Sequence, residues 1–247
     1  MKPIVPALAL ALALLVGALP GASVAAPKYK VAKVVNGGTI FGKVVLSSGK
    51  AVTKSYTISK NPEVCGTGTR DVPMVRTNGK ALLDAVVYLE KVKAGKPFPA
   101  GLGKITLNQK KCAFQPAISV MMNGGELEAV NSDPVLHNIH TYELIGRARR
   151  TVMNVSQPEK GNIVTKKIKM RRGVGMKVEC DAHDFMHAFV FVARNPYFAL
   201  VDDKGEYSIT DVPPGKYTIK VWHGVLGEKK GKAIVPAGGR AEVTFGY

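Results

Sequence analysis

A cysteine, a histidine and a methionine fall within seven residues in Cys180-Asp-Ala-His183-Asp-Phe-Met186. Together they offer a thiolate, an imidazole and a thioether. Soft thiolate and thioether donors select Cu(I), zinc or iron–sulfur clusters, and imidazole suits copper and zinc. One more imidazole completes a trigonal His₂Cys set with a weak axial Met, the donor set of mononuclear copper centres that pass electrons. His137, in Asn131-Ser-Asp-Pro-Val-Leu-His-Asn-Ile-His140, is the upstream candidate. In such a site Cys180 supplies the short bond that carries electronic coupling, and His137 and His183 supply neutral imidazoles. Met186 supplies a long axial thioether that biases the ion towards Cu(I). One copper per chain is the expected load.

Each donor taken singly has a plainer reading as packing, and it is their order around Cys180 that carries the assignment. Three histidines are spare, and two of them are alternative ligands, His140 and His187. His140 stands three residues from His137, on the opposite face of a strand, which suits an exposed or partner-facing role. His187 directly follows Met186 and either replaces it as axial ligand or lies at the surface where electrons enter. His223, beside Trp222, reads as a structural histidine.

The elements that must hold these donors are strands. Short runs rich in Val, Ile and Tyr are separated by Gly, Asn, Asp and Pro clusters, the punctuation of an all-β chain. Thr39–Leu46, Ala85–Leu89, Ala117–Met121, Glu126–Val130, Met176–Cys180 and Ala188–Val192 read as strands. Asn36-Gly-Gly and Asn123-Gly-Gly mark tight turns. Residues 79–92 carry some helical character, but the Ala-Val-Val-Tyr-Leu run favours a strand there. Residues 141–165 show no clear pattern and are expected to be loop with short strands.

Three cysteines leave one unpaired. Cys65 and Cys112 lie in turn-like contexts without a nearby histidine, so a disulfide between them is expected, with Cys180 left for metal. A Cys65–Cys180 bridge would defeat the copper reading.

At 247 residues and 46% apolar content the chain can bury a large core, as one large domain or two small ones. Residues 1–25 read as a cleaved signal peptide, with Lys2 as the positive end, Ile4–Pro20 as the apolar stretch and Ser23-Val-Ala25 as the cleavage site. An uncleaved anchor is the alternative. No later apolar run is long enough to cross a bilayer, so a periplasmic or secreted protein is expected. Removing Lys2 from 35 basic residues leaves 34 against 18 acidic ones, a balance of +16. Such a field steers acidic partners, or simply solubilises the surface; nucleic-acid motifs are missing from the sequence.

Residues 105–195 resemble a cupredoxin, the Greek-key β-sandwich of blue-copper proteins. A turn at Asn123-Gly-Gly is followed by Asn131-Ser-Asp, by His137-Asn138, by a strand ending at Cys180, by the Cys-x₂-His-x₂-Met loop and by a strand from Ala188, the family's order. The spacing is similar to the short ligand loop of amicyanin. The resemblance implies that Asn138 ties the His137 loop to the Cys180 loop, an interaction that orients ligands. Asp184 stands where relatives often have a proline. Gly42-Lys-Val-Val-Leu and Asp202-Asp-Lys-Gly-Glu-Tyr…Pro-Pro-Gly-Lys-Tyr-Thr-Ile-Lys-Val-Trp222 resemble a carboxypeptidase regulatory-like, prealbumin-like sandwich. The expected organisation is therefore a cupredoxin (105–195) packed with or inserted into a second β-sandwich made of 38–100 and 196–247.

The expected function is electron transfer through a type 1 (blue) copper site, with an acidic redox partner such as a c-type cytochrome. Copper storage or delivery is the alternative, as is a structural or glycan-binding sandwich with a vestigial site. Gly-x-Ser-x-Gly, His-Glu-x-x-His and phosphate-loop motifs do not occur, and five histidines are too few for a second, catalytic copper centre. An enzyme is not expected.

Overall fold

The computed structural model describes Met1 and residues 29–247, so the proposed signal peptide lies outside the described residues. The chain is nearly all β, with a single helical turn, Pro62–Cys65, among the described residues. No described helix is long and apolar enough to cross a membrane.

Residues 104–193 build a central sandwich. One sheet runs Phe114–Gln115, Lys104–Gln109, Glu126–Asn131, Ile163–Lys167, and the other Ile118–Met122, His183–Ala193, Gly175–Cys180, His137–Ile145, Ala148–Gln157. Leu107, Leu127 and Ala129 of the first sheet close on Met121, Ile139, Met176, Val178, Val190 and Val192 of the second. The strands before and after it form a flanking sandwich. Its sheets are Phe198–Leu200, Ala85–Leu89, Gly215–His223, Gly227–Val235 and, facing them, Glu206–Val212, Gly38–Val45, Ala81–Leu82, Thr77–Asn78, with Arg240–Glu242 and Phe245–Gly246 added beside Gly38–Val45. Ile40, Val44, Leu82, Val87, Ile219 and Val221 are among its core residues.

The two sandwiches share a wall. Along Ala85–Leu89 every residue is buried: Ala85, Val87 and Leu89 face the flanking core, while Val86 and Tyr88 face the central sandwich. Burial on both faces is why this strand reads as an unbroken apolar run rather than an alternation. His183–Ala193 does the same from the other side: Ala188, Val190 and Val192 enter the central core, and Phe189, Phe191 and Ala193 enter the wall. Phe191 meets Tyr88 at a ring separation of 5.0 Å and Trp222 at 5.9 Å. The wall admits no side chain at Gly175, where a Cβ would stand 2.5 Å from the Trp222 ring.

Residues 141–165 correct the sequence reading. They continue a long hairpin, His137–Ile145 with Ala148–Gln157, and then form Ile163–Lys167. Two features hide it. A register shift between Thr141 and Tyr142 breaks the alternation, and Ala148–Gln157 is an edge strand whose Arg, Thr and Asn residues face solvent. The strand expected from Ala188 in fact starts at His183, which pairs with Cys180 across a turn of Asp181 and Ala182.

A second hairpin, Val52–Thr57 with Thr69–Val75, pairs with no other strand. It leaves the flanking sandwich as an arm, and Tyr56, Ile58, Val64 and Val72 pack against the central core. At its tip the Pro62–Cys65 turn carries Cys65, disulfide-bonded to Cys112 of the central sandwich. Cys180 is left free and buried.

Candidate metal centre

Antiparallel pairing brings the ligand candidates together. His137 opens its strand, Cys180 ends the adjacent one, and the Asp181-Ala182 turn returns the chain so that His183 faces both. His137 Nδ1 lies 3.1 Å from His183 Nδ1, and Cys180 Sγ lies 3.9 Å from His137 Nδ1 and 3.7 Å from His183 Nδ1. The circle through these three atoms has a radius of about 2.1 Å, within the roughly 2.0–2.3 Å of metal–nitrogen and metal–sulfur bonds. All three side chains are buried, at 0, 2 and 2% exposure for His137, Cys180 and His183.

The outer nitrogens fix which way the imidazoles present themselves. His137 Nε2 donates to the Asp133 carboxylate at 3.0 Å, and His183 Nε2 donates to Asn61 Oδ1 at 3.1 Å. With both protons on Nε2, both Nδ1 lone pairs point into the same dry space, 3.1 Å apart. Two acceptors cannot satisfy each other, and the Cys180 thiol has one proton to offer them both. A cation resolves this arrangement; no neutral side chain on hand does. Burial, then the neighbouring His137 and Lys60, hold His183 down to about 4. Burial also lowers His137, against the pull of Asp133. Burial pushes the Cys180 thiol up, although the amides of Asn138, Ala182 and His183 oppose it. Near neutral pH the metal-free site therefore holds two neutral imidazoles and a thiol, and binding a metal ion releases the thiol proton.

Asn138 joins the two ligand loops. Its amide N–H donates to Cys180 Sγ at 3.4 Å, its Oδ1 accepts from the Asp181 N–H, and its Nδ2 donates to Asp181 Oδ2 at 3.0 Å. Met186 is buried at 1% exposure in the central core, three residues beyond His183. His187 pairs across from Glu179 and turns away, its ring beside Phe189 on the wall side, and it is absent from the cluster of donor atoms. Strand alternation separates it from Met186.

His140 lies on the opposite face from His137. It is less exposed than expected, with 14% side-chain exposure. Asp181 approaches its Nδ1 at 3.0 Å, the Tyr142 ring stacks on it at 4.1 Å, and Thr151 stands 3.3 Å from its Nε2. His223 is buried, and its Nδ1 accepts the amides of Val225 and Leu226, a structural arrangement. A cleft of about 210 Å³ between arm and sandwiches is lined by Met186, His187, His223, Arg70 and Arg76 among others; it stops short of the three donor atoms.

The solved structures this chain resembles include several cupredoxins. The amicyanin of Paracoccus versutus aligns at 16% identity over 43% of this chain and 97% of its own, with a TM-score of 0.31. A purple cupredoxin from Nitrosopumilus maritimus aligns at 16% identity over 36% and 98%, with a TM-score of 0.30. A copper-containing nitrite reductase from Thermus scotoductus aligns at 16% identity and a TM-score of 0.30, over 42% of this chain and only a quarter of the reductase. No family model matches the sequence, and no curated protein matches it.

Two positions were not legible as part of the site. Asp133 was visible only as an acid four residues before His137; its two oxygens also accept the amides of Lys111 and Cys112 at 2.7 Å each. Asn61 was visible as an Asn-Pro pair ahead of Cys65, which marks a turn and says nothing about what its side chain meets.

Proposed function

We propose that this protein binds one copper ion through His137, Cys180 and His183, with Met186 as axial donor, and passes electrons through a type 1 site. The observation that supports it most is the triangle of two Nδ1 atoms and one Sγ at metal-bonding radius, with both Nε2 protons already committed elsewhere. The ion would supply a one-electron couple. The chain supplies the rest: Cys180 a coupled thiolate, Asn138 and Asp133 a fixed loop geometry, and the sandwich a frame that limits rearrangement between oxidation states. On this reading the copper module is a cupredoxin-like unit set within the flanking sandwich, the chain is exported to the periplasm or beyond, and its basic surface meets an acidic carrier such as a c-type cytochrome. It transfers electrons and turns over no substrate.

Copper storage is a second reading. The burial of all three donors and the arm lying over His183 favour it, because an enclosed ion is retained. Metal analysis and a visible spectrum of the oxidised protein test the site. The expected result is one copper per chain and an intense thiolate-to-copper band that Cys180→Ser abolishes. A colourless zinc protein, or a band that survives Cys180→Ser, refutes it. A reversible one-electron wave with fast exchange then separates transfer from storage.

A further inference from the structure

The hydrogen-bond partner of His183 comes from outside the sandwich that carries His183. Asn61 stands at the tip of the arm with φ 51° and ψ 48°, a left-handed conformation that Asn adopts at little cost. Its backbone oxygen accepts the amides of Val64 and Cys65 at 3.0 and 2.8 Å, so it is fixed relative to the disulfide. Its side-chain Nδ2 donates to Glu63 Oε1 at 3.4 Å, which orients Oδ1 towards His183.

The arm is latched in three ways. The Cys65–Cys112 disulfide joins it to the central sandwich. The Arg70 guanidinium donates to the backbone oxygens of Cys112 and Lys111 at 2.9 and 3.1 Å and lies over the Phe185 ring. Tyr56, Ile58, Val64 and Val72 pack on the central core. Beyond the disulfide, the Cys112 amide donates to Asp133 Oδ2, the oxygen that also accepts from His137 Nε2. One disulfide therefore ties the turn that carries Asn61 to the residue whose amide holds Asp133, and Asn61 and Asp133 are the two groups that meet the outer nitrogens of the two imidazoles.

We propose that Asn61, carried in by the arm and latched by the Cys65–Cys112 disulfide, is a positioning residue for His183: it fixes the tautomer that turns the Nδ1 lone pair into the site and covers the outer edge of the ring. The inference rests on the copper reading for its purpose and on the Asn61–His183 contact for its geometry. Water would also accept the Nε2 proton, but a mobile acceptor would leave the ring free to rotate and the tautomer unfixed. In this arrangement the flanking sandwich completes the metal site of the central one.

The test uses the full chain with two substitutions. Asn61→Gly keeps the left-handed backbone and removes the acceptor; Asn61→Asp keeps the acceptor. Without metal, proton–nitrogen correlation spectra of the imidazoles should show His183 protonated on Nε2 in the parent and in Asn61→Asp. That Nε2–H resonance should be lost in Asn61→Gly. With copper, Asn61→Gly should weaken affinity about 10–100-fold in chelator competition and broaden the visible band, and Asn61→Asp should restore both. The Cys65→Ser/Cys112→Ser double variant should give the same loss, and adding Asn61→Gly to it should cost little more, since both act through one contact. An unchanged Nε2–H resonance and affinity in Asn61→Gly overturns the inference, as does an equal loss in Asn61→Asp. If the resonance behaves as expected in a parent chain that takes up no copper, the copper reading fails and the contact stands.

Discussion

Asp133→Asn is the sharpest probe of how the site is held. Asp133 is 5% exposed, and its carboxylate accepts three donors: the Lys111 amide on Oδ1 at 2.7 Å, the Cys112 amide on Oδ2 at 2.7 Å, and His137 Nε2 at 3.0 Å. Burial alone would raise its pKa, but the Cys112 amide, His137 and the Lys111 amide together bring it below the usual carboxylate range. An amide of the same shape keeps one acceptor oxygen and turns an NH₂ group towards a donor. At roughly 1.5–3 kcal/mol per hydrogen bond to a charged group, losing one or two of them costs about 1.5–6 kcal/mol. In a chain of this size that lowers the melting temperature by about 3–24 °C. The sign with pH follows from the depressed native pKa. The parent's advantage is fully present above the unfolded carboxylate value near 4, and disappears as pH falls through the lower native one. Denaturant titrations of the metal-free parent and variant at pH 7 and at a series of acid pH values measure the difference directly. Copper affinity should fall about 10–100-fold in parallel, because His137 loses the acceptor that fixes its tautomer. A variant within about 1 kcal/mol of the parent at pH 7, with the gap unchanged in acid, would refute the reasoning.

Met186→Leu should keep the strong colour and raise the copper potential in protein-film voltammetry, because the thioether, though weaker than other axial donors, still stabilises Cu(II) more than a hydrocarbon does, while His187→Ala should leave spectrum and potential unchanged; bleaching by His187→Ala alone would move the axial assignment by one residue. Glu143 is fully buried, pairs with Arg150 and accepts the amides of Arg171, Arg172 and Gly173. Although burial opposes ionisation, these donors hold its carboxyl below the usual range, so its contribution is present above pH ~4.5 and lost as pH falls through the lower native value. Glu143→Gln should speed hydrogen exchange at Arg171–Gly173 at pH 7, and equal exchange in both proteins would contradict that assignment. Electron transfer to an acidic c-type cytochrome should slow steeply between low and physiological salt, as screening shortens from about 30 Å to about 8 Å. Rates that ignore salt would leave the basic surface without a steering role.

What the sequence made legible is what local pattern controls. Ala85–Leu89 has the same bounds in the structure as in the pattern, because residues buried on both faces must all be apolar. The Cys65–Cys112 pairing followed from the absence of histidines near either cysteine. The 141–165 hairpin escaped because a bulge shifts its phase and its outer strand is dressed for solvent. His187, the alternative to Met186, lies on the other face of the same strand with its ring beside Phe189, a difference that period-two alternation carries in the sequence. Asp133 and Asn61 were illegible for a different reason. Their meaning lies in contacts with His137 and His183, and the second spans 122 residues between elements that no local pattern relates.

The division of the three cysteines has a consequence for how the chain matures. On the proposed export route the chain emerges amino-terminus first, and Cys65 and Cys112 would become available to an oxidant before Cys180 has appeared. Their pairing is then the only one on offer, and it is the native one. When Cys180 arrives it meets no free thiol, and folding buries it between two neutral imidazoles. The order of cysteines along the chain would thus act as a timetable that keeps Cys180, the sulfur of the proposed metal site, out of disulfide exchange. A circularly permuted chain that presented Cys180 first would lose that protection and accumulate mispaired, metal-free protein.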